Sequence, residues 1–101
     1  MKYDKLFETA KIGSLTLKNR FIMGAMGVGF AEMNGNPTDR TVAYYEERAK
    51  GGYALIITEV TRVQDTEFCT PLEPSLGSDK FIPGWKKVTD AVHAQGAYIF
   101  P

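Results

Sequence analysis

Gly51-Gly52-Tyr53-Ala54-Leu55-Ile56-Ile57-Thr58-Glu59-Val60 couples a helix stop to an apolar, β-branched run. Across residues 53–60 the apolar side chains stand on consecutive positions rather than alternating, as in a strand covered on both faces within a parallel sheet. Parallel neighbours are joined by crossovers, so a helix is expected on each side of the run. Upstream, Val42, Tyr45 and Ala49 recur at i, i+3 and i+7, and Glu46 is placed to pair with Lys50 one turn on. The predicted helix covers residues 39–50. Asn34-Gly35-Asn36-Pro37 supplies turn chemistry before it, Thr38 is its N-cap, and Asp39, Arg48 and Lys50 complement its dipole.

Further upstream, Phe21-Ile22-Met23 is a short apolar run entering Gly24-Ala25-Met26-Gly27-Val28-Gly29, a first strand that opens into a tight glycine-rich loop. Residues 11–20 read as a hairpin, with Ile12, Leu15 and Leu17 around the turn Gly13-Ser14. Downstream, residues 61–78 form a long irregular connection of the kind that more often carries function than structure. Ser78 or Asp79, then Pro83, prepare a second helix with Trp85, Val88 and Val92 on one face and Gly96 closing it. Ala97-Tyr98-Ile99-Phe100 begins a third strand.

The resulting order, strand, helix, strand, helix, strand, is of the α/β class, with right-handed crossovers and adjacent parallel strands. An open doubly wound sheet and a closed (β/α)8 barrel both begin this way, and the leading hairpin suits the bottom of a barrel. The expected fold is therefore the N-terminal portion of a (β/α)8 TIM barrel, a capping hairpin followed by just over two of its eight units. Such a barrel takes about 250 residues. Residues 1–101 are accordingly expected to be a fragment of a larger barrel domain, an expectation that the apolar strand running into Pro101 reinforces.

Composition narrows the function classes. The chain has 101 residues, 44% apolar and 24% charged, as a globular domain does. Twelve Lys and Arg against twelve Asp and Glu leave no net field that would favour nucleic acid or an anionic membrane. The run at residues 53–57 is far short of the roughly 20 residues of a membrane helix, and residues 1–11 lack an apolar signal core, so a cytoplasmic protein is expected. Cys69 is the single cysteine and no His or Cys pair has ligand spacing, so no metal site is expected in this stretch.

Ligands of parallel α/β folds bind at the carboxyl ends of the strands, here residues 24–29, residues 58–62 and the vicinity of Pro101. Gly24, Gly27 and Gly29 would let the backbone approach a flat ligand, although a tight turn is the simpler reading, and their G-x-x-G-x-G spacing is not the dinucleotide fingerprint. His93 falls late in the second helix and reads as a packed or hydrogen-bonded histidine. Cys69 reads as a plain loop thiol, and Tyr44 and Tyr45 as packing residues of the first helix. Glu59, at a strand end, has two readings: a catalytic carboxylate, or one that holds a loop by accepting backbone N–H groups. Spacing alone yields no acid–base pair.

Several short motifs, in order, carry a resemblance: Leu6-Phe7, Ile12-Gly13, Leu17-Lys18-Asn19-Arg20, Tyr44-Tyr45-Glu46-Glu47-Arg48-Ala49 and Leu55-Ile56-Ile57-Thr58-Glu59. Ile82-Pro83-Gly84-Trp85-Lys86, Ala91-Val92-His93-Ala94, Gly96 and Ile99-Phe100 continue it. Together they resemble the start of the Old Yellow Enzyme family of NADH:flavin oxidoreductases. The resemblance implies a barrel that binds FMN at the strand carboxyl ends, takes hydride from NADH or NADPH and passes it to an activated C=C bond, such as an enoate or a dienoyl or enoyl thioester. The chain looks most similar to the branch of 2,4-dienoyl-CoA reductase, enoate reductases and trimethylamine dehydrogenase, which implies a [4Fe-4S] cluster and FAD in downstream parts.

Position by position, Ala25-Met26-Gly27 matches the family segment that lies against the flavin ring, usually Pro-Met followed by Thr, Cys or Gly. Ala25 replaces the proline, and Gly27 lacks the side-chain donor some relatives offer the ring, which implies a lower flavin potential. Val60 matches a flavin-bordering position that is usually small. The family's pyrimidine-binding glutamine, substrate-binding pair and tyrosine acid fall beyond Pro101, so no catalytic residue is expected within residues 1–101. The resemblance also implies a small unsaturated substrate, and unpaired strand edges make a homo-oligomer expected. The rival expectation is a non-catalytic barrel fragment that binds no flavin and associates with copies of itself through unpaired strand edges.

Overall fold

The sheet is ordered by strand β4 (Leu55–Ile57), which pairs in parallel with β3 (Ile22–Met23) on one side and β5 (Tyr98–Phe100) on the other. The computed structural model describes residues 2–64 and 70–101. Ahead of the sheet come a single helical turn, α1 (Asp4–Phe7), and an antiparallel hairpin of β1 (Ala10–Ile12) and β2 (Leu15–Leu17). Helix α2 (Asp39–Lys50) crosses from β3 to β4, and α3 (Ile82–Ala94), entered through a 3-10 turn at Asp79–Phe81, crosses from β4 to β5.

Helix α2 has the boundaries read from its periodicity. Thr38 caps it: its hydroxyl accepts the Thr41 N–H while the Thr41 hydroxyl accepts the Thr38 N–H, a capping box built from two threonines. Glu46 pairs with Lys50 at 3.0 Å, as its spacing predicts. Helix α3 begins one turn later than its first capping signal, because Ser78 caps the 3-10 turn and Pro83 occupies the first turn of the α-helix proper.

Both helices cover one face of the sheet. Met23 and Ile56, neighbours in register, pack there with Tyr45 and Ala49 of α2 and with Val88 and Val92 of α3. On the opposite face Leu17 of the hairpin closes over Leu55 and Ala54, with Tyr98 alongside. The hairpin thus plugs the amino end of the sheet, the position of a barrel bottom. Toward the carboxyl end this second face is open at Ile57 and Phe100, and at the amino end of β3 Ile22, level with Leu55, is exposed beside them. The expectation of a strand covered on both faces therefore holds for Leu55 and Ile56 but not for Ile57.

The strands are shorter than their apolar runs. The run at residues 53–60 contributes only Leu55–Ile57 to the ladder, although single bonds extend it at both ends: the Ala54 N–H donates to the Phe21 carbonyl at 3.0 Å and the Thr58 N–H to the Phe100 carbonyl at 2.8 Å. The pairing stops at Glu59 because its N–H is taken by the Tyr45 hydroxyl at 2.9 Å. The hairpin likewise spans Ala10–Leu17, less than the predicted residues 11–20, since Asn19 leaves to accept the Phe21 N–H and to donate to the Gly52 carbonyl. Helix α1 was not legible, being one turn without periodicity that is fixed by distant groups: the Arg20 N–H donates to the Leu6 carbonyl, and Phe7 meets Phe21 edge-on.

The described part of the long connection is stapled down. The Arg62 N–H donates to the Pro74 carbonyl at 2.9 Å, the Arg62 carbonyl accepts the Leu76 N–H at 2.8 Å, and the Arg62 guanidinium lies 3.8 Å from the Glu73 carboxyl with both side chains buried. The Trp85 indole donates to the Ser75 carbonyl at 2.7 Å, and the Ser75 N–H donates to the Gly35 carbonyl at 2.8 Å. Cys69 lies outside the described residues.

Gly35 is obligatory here: its φ is 97°, and a Cβ would fall 2.3 Å from the Arg62 guanidinium and 2.6 Å from Ser75 Cβ. Gly35→Ala is expected to destabilise the domain by about 2 kcal/mol or more, from left-handed strain plus the steric clash. Chemical denaturation of the full-length protein measures it; an unchanged midpoint would contradict this packing.

Candidate functional site

Two loops and Pro101 follow the carboxyl ends of β3, β4 and β5 on one rim. Residues 24–29 follow β3, residues 58–62 follow β4 and Pro101 follows β5. The first two are joined by Glu59, which is only 2% exposed. Its Oε2 accepts the Val28 N–H at 3.1 Å and its Oε1 accepts the Tyr45 hydroxyl at 3.3 Å. The Tyr45 hydroxyl in turn accepts the Glu59 N–H, and the Glu59 carbonyl accepts the hydroxyls of Thr61 at 2.8 Å and Thr58 at 3.3 Å. Each backbone and side-chain polar group of Glu59 is therefore engaged, as burial of a carboxyl requires.

This geometry decides between the two readings of Glu59. It holds a loop by accepting a backbone N–H, and both of its oxygens are occupied by protein donors. Tyr45, predicted as a packing residue, does pack, with zero exposure, and also carries the hydroxyl at the centre of this network. That second role was not visible in the spacing, because Tyr45 and Glu59 meet only when α2 folds back on β4. Burial, with the Glu59 carboxyl adding to it, pushes Tyr45 well above the ordinary tyrosine range, partly offset by the Glu59 N–H. Tyr45 stays a neutral donor throughout physiological pH.

The four positions matched to a flavin contact lie on this rim. Ala25 and Gly27 are exposed, Met26 is 56% exposed and Val60 is 44% exposed. The Val28–Glu59 bond links the residue after Gly27 to the residue before Val60, so it brings the two predicted segments together. Gly24 and Gly27 hold no left-handed φ, and a Cβ built on either meets nothing within 4 Å. Neither backbone conformation nor packing among the described residues demands glycine at these two positions.

The remaining candidates lie elsewhere. His93 borders Lys18 and Gly96 at the amino end of the sheet, away from the rim. Tyr44 stacks edge-on against Phe30 and Tyr45, and the Arg48 guanidinium lies 3.9 Å above its ring. Among the described residues no group of three His, Cys, Asp or Glu could hold a metal ion.

A parallel sheet with both helices on one face, a hairpin plug at its amino end and a glycine-rich loop at its carboxyl end defines the opening portion of a ligand-binding (β/α)8 barrel. The model of the NADH:flavin oxidoreductase / NADH oxidase family matches residues 5–100, and the chain belongs to that family. It is 38% identical over 104 residues to a cinnamate reductase of Clostridium sporogenes, covering 98% of this chain and 16% of the relative. It is 38% identical over 95 residues to an NADPH dehydrogenase of Listeria monocytogenes, covering 93% and 28% respectively. The old yellow enzyme from Trypanosoma cruzi superposes with a TM-score of 0.88 at 36% identity, over 99% of this chain and 26% of that structure. The chain thus spans between about a seventh and a little over a quarter of the length of the curated relatives it matches.

The raised Tyr45 has a consequence at high pH. In the unfolded chain it would ionise near pH 10, so its contribution to stability is full below about pH 10 and is lost as pH rises beyond it. The stability of Tyr45→Phe should therefore fall less steeply above pH 10 than that of the parent. Denaturant unfolding at pH 8 to 11 tests this, and parallel slopes would contradict it.

Proposed function

We propose that residues 1–101 form the N-terminal portion of the FMN-binding barrel domain of an NAD(P)H-dependent oxidoreductase that reduces activated C=C bonds. The observation that carries this reading is the open space beyond Gly24 and Gly27 on the ligand-binding rim, where nothing among the described residues calls for glycine. A planar ring lying against the loop accounts for both glycines, because any side chain there would hold it off. The residues present therefore fit the cofactor: Ala25, Met26 and Gly27 would line one side of it and Val60 would border it from the next loop.

FMN, when bound, supplies the hydride-transfer chemistry. These residues orient the ring and exclude water from it. Met26 and Val60 would offer apolar contact, and Gly27 would offer the ring no hydroxyl donor, which would favour a lower flavin potential. The protons of Tyr45, Thr58 and Thr61 are engaged within the network around Glu59, and protonation of substrate is assigned in this reading to residues outside this stretch.

Several features of the whole protein follow from this reading. An enoate, or an enoyl or dienoyl thioester, is the proposed substrate class, supported by the likeness to a cinnamate reductase, whose named substrate is an aryl enoate. NADH or NADPH is the proposed reductant, supported by the family description and the NADPH dehydrogenase relative. A [4Fe-4S] cluster and FAD, if the protein follows the larger branch, would be held by residues outside this stretch. A cytoplasmic location is proposed, and among the described residues no helix is long and apolar enough to cross a membrane.

The second reading, self-association without flavin, is favoured by one observation, the exposed apolar row of Ile22, Ile57 and Phe100. In the full barrel this row faces the remaining units; in an assembly of copies it would face another chain. A homo-oligomer is compatible with either.

Gly27→Ala in the full-length protein separates them. The substitution meets open space, so the melting temperature should be unchanged, while FMN affinity should fall about tenfold, or about 1.4 kcal/mol. Flavin fluorescence titration beside calorimetry reads both. Unchanged affinity would remove Gly27 from the site, and a parent protein that takes up no FMN would favour the second reading. Gly27→Thr, which restores a donor, should raise the flavin midpoint potential, measured by dye-linked reduction.

A further inference from the structure

Residues 25–29 are joined to the rest of the chain by a single hydrogen bond among the described residues, the one from the Val28 N–H to Glu59. The segment contains two glycines, carries an exposed Met26 and packs no side chain into the cores on either face of the sheet. A backbone of that composition has a large conformational entropy, and nothing in its own sequence selects the shape it takes here. The shape is selected from outside, by an acceptor held still.

Glu59 is suited to this task by its chemistry. A carboxyl has two acceptor oxygens in a fixed plane and can receive two donors from different directions. One donor is the loop N–H; the other is the Tyr45 hydroxyl, which in return receives the Glu59 N–H. Tyr45 belongs to the packed core, between Met23, Ile56 and the helices, and has no exposure to solvent. The loop is thus referenced, through one side chain, to the packed core of the domain. The Glu59 carbonyl, fixed by Thr61 and Thr58, ties the residues around Val60 to the same point.

We propose that Glu59 and Tyr45 are positioning residues that preset the loop of residues 24–29 for the flavin ring, so that ligand binding does not have to order it. The proposal rests on the flavin reading of the rim and assigns roles to two residues that touch neither cofactor nor substrate. Presetting a flexible loop strengthens binding by lowering the ordering cost that the ligand would otherwise meet. Glu59→Ala removes both acceptors, while Glu59→Gln keeps an acceptor oxygen for Val28. Tyr45→Phe leaves the carboxyl in place but takes away its anchor.

The test uses the full-length protein and two readouts at a temperature well below unfolding. The first is hydrogen exchange at the Val28 amide in the flavin-free protein; the second is the dissociation constant for FMN. Glu59→Ala should speed Val28 exchange by at least tenfold and weaken FMN by about ten- to a hundredfold. Glu59→Gln should stay within about threefold of the parent in both, and Tyr45→Phe should fall between.

A merely structural role would lower the melting temperature of these variants without the local exchange change and without rescue by glutamine. Parent-like exchange and FMN affinity in Glu59→Ala would overturn the proposal. If that variant does not fold, Tyr45→Phe carries the test, and parent-like values there would overturn it equally. A parent protein that binds no FMN would instead overturn the flavin reading, whatever the Val28 exchange shows.

Discussion

The hydroxyl of Tyr45 stands where helix α2, the end of β4 and the loop after β3 meet, and these parts of the rim depend on it. By accepting the Glu59 N–H it ends the β4 ladder, and by donating to the Glu59 carboxyl it holds that group in the orientation that receives Val28. The same residue fills the middle of the core against Met23 and Ile56. The packing of the helix–strand unit and the shape of the loop after β3 thus share one residue. Moving α2 along the sheet would detach the loop, and releasing the loop would leave a buried carboxyl short of a donor, an arrangement that costs about 1–3 kcal/mol in a protein interior.

The two faces of the sheet divide the energetic and chemical work. The face toward the helices buries Met23, Ile56, Val88 and Val92 almost completely, and full burial of such a side chain contributes about 1.5–3 kcal/mol. The face toward the barrel axis is packed only at its amino end, where Leu17 meets Leu55, and lies open where Ile22, Ile57 and Phe100 project. A closed barrel fills that space with side chains from strands opposite. Stability at one end and ligand contact at the other is the usual division in barrels, and the hairpin and the glycine-rich loop sit accordingly.

Much of this was legible in the residues. Helix α2 could be bounded to the residue because its cap, dipole charges and terminal glycines agree with its apolar period, and the buried triplet Trp85, Val88 and Val92 identified the inner face of α3. The parallel sheet followed from the unalternating run at residues 53–60. The ends of the strands were not legible, since an apolar run does not reveal where a hydroxyl from another element will take the next N–H. Helix α1 and the Arg62–Glu73 staple were missed for the same reason: each exists only through partners far along the chain. Within the site, the loop of residues 24–29 followed from the strand carboxyl ends and its glycines, while its match to a flavin contact and that of Val60 came from family likeness. The two readings of Glu59 could be written down but not chosen between until the position of Val28 was known.

The central claim is that the loops after β3 and β4 form one preset wall for a flavin. Hydrogen exchange of the full-length protein with and without FMN tests it most directly. Added FMN should slow exchange in residues 24–29 and 58–61 together, with little change in β1, β2 and the amino end of the sheet around His93. Protection confined to regions outside residues 1–101, or protection of one loop without the other, would contradict it.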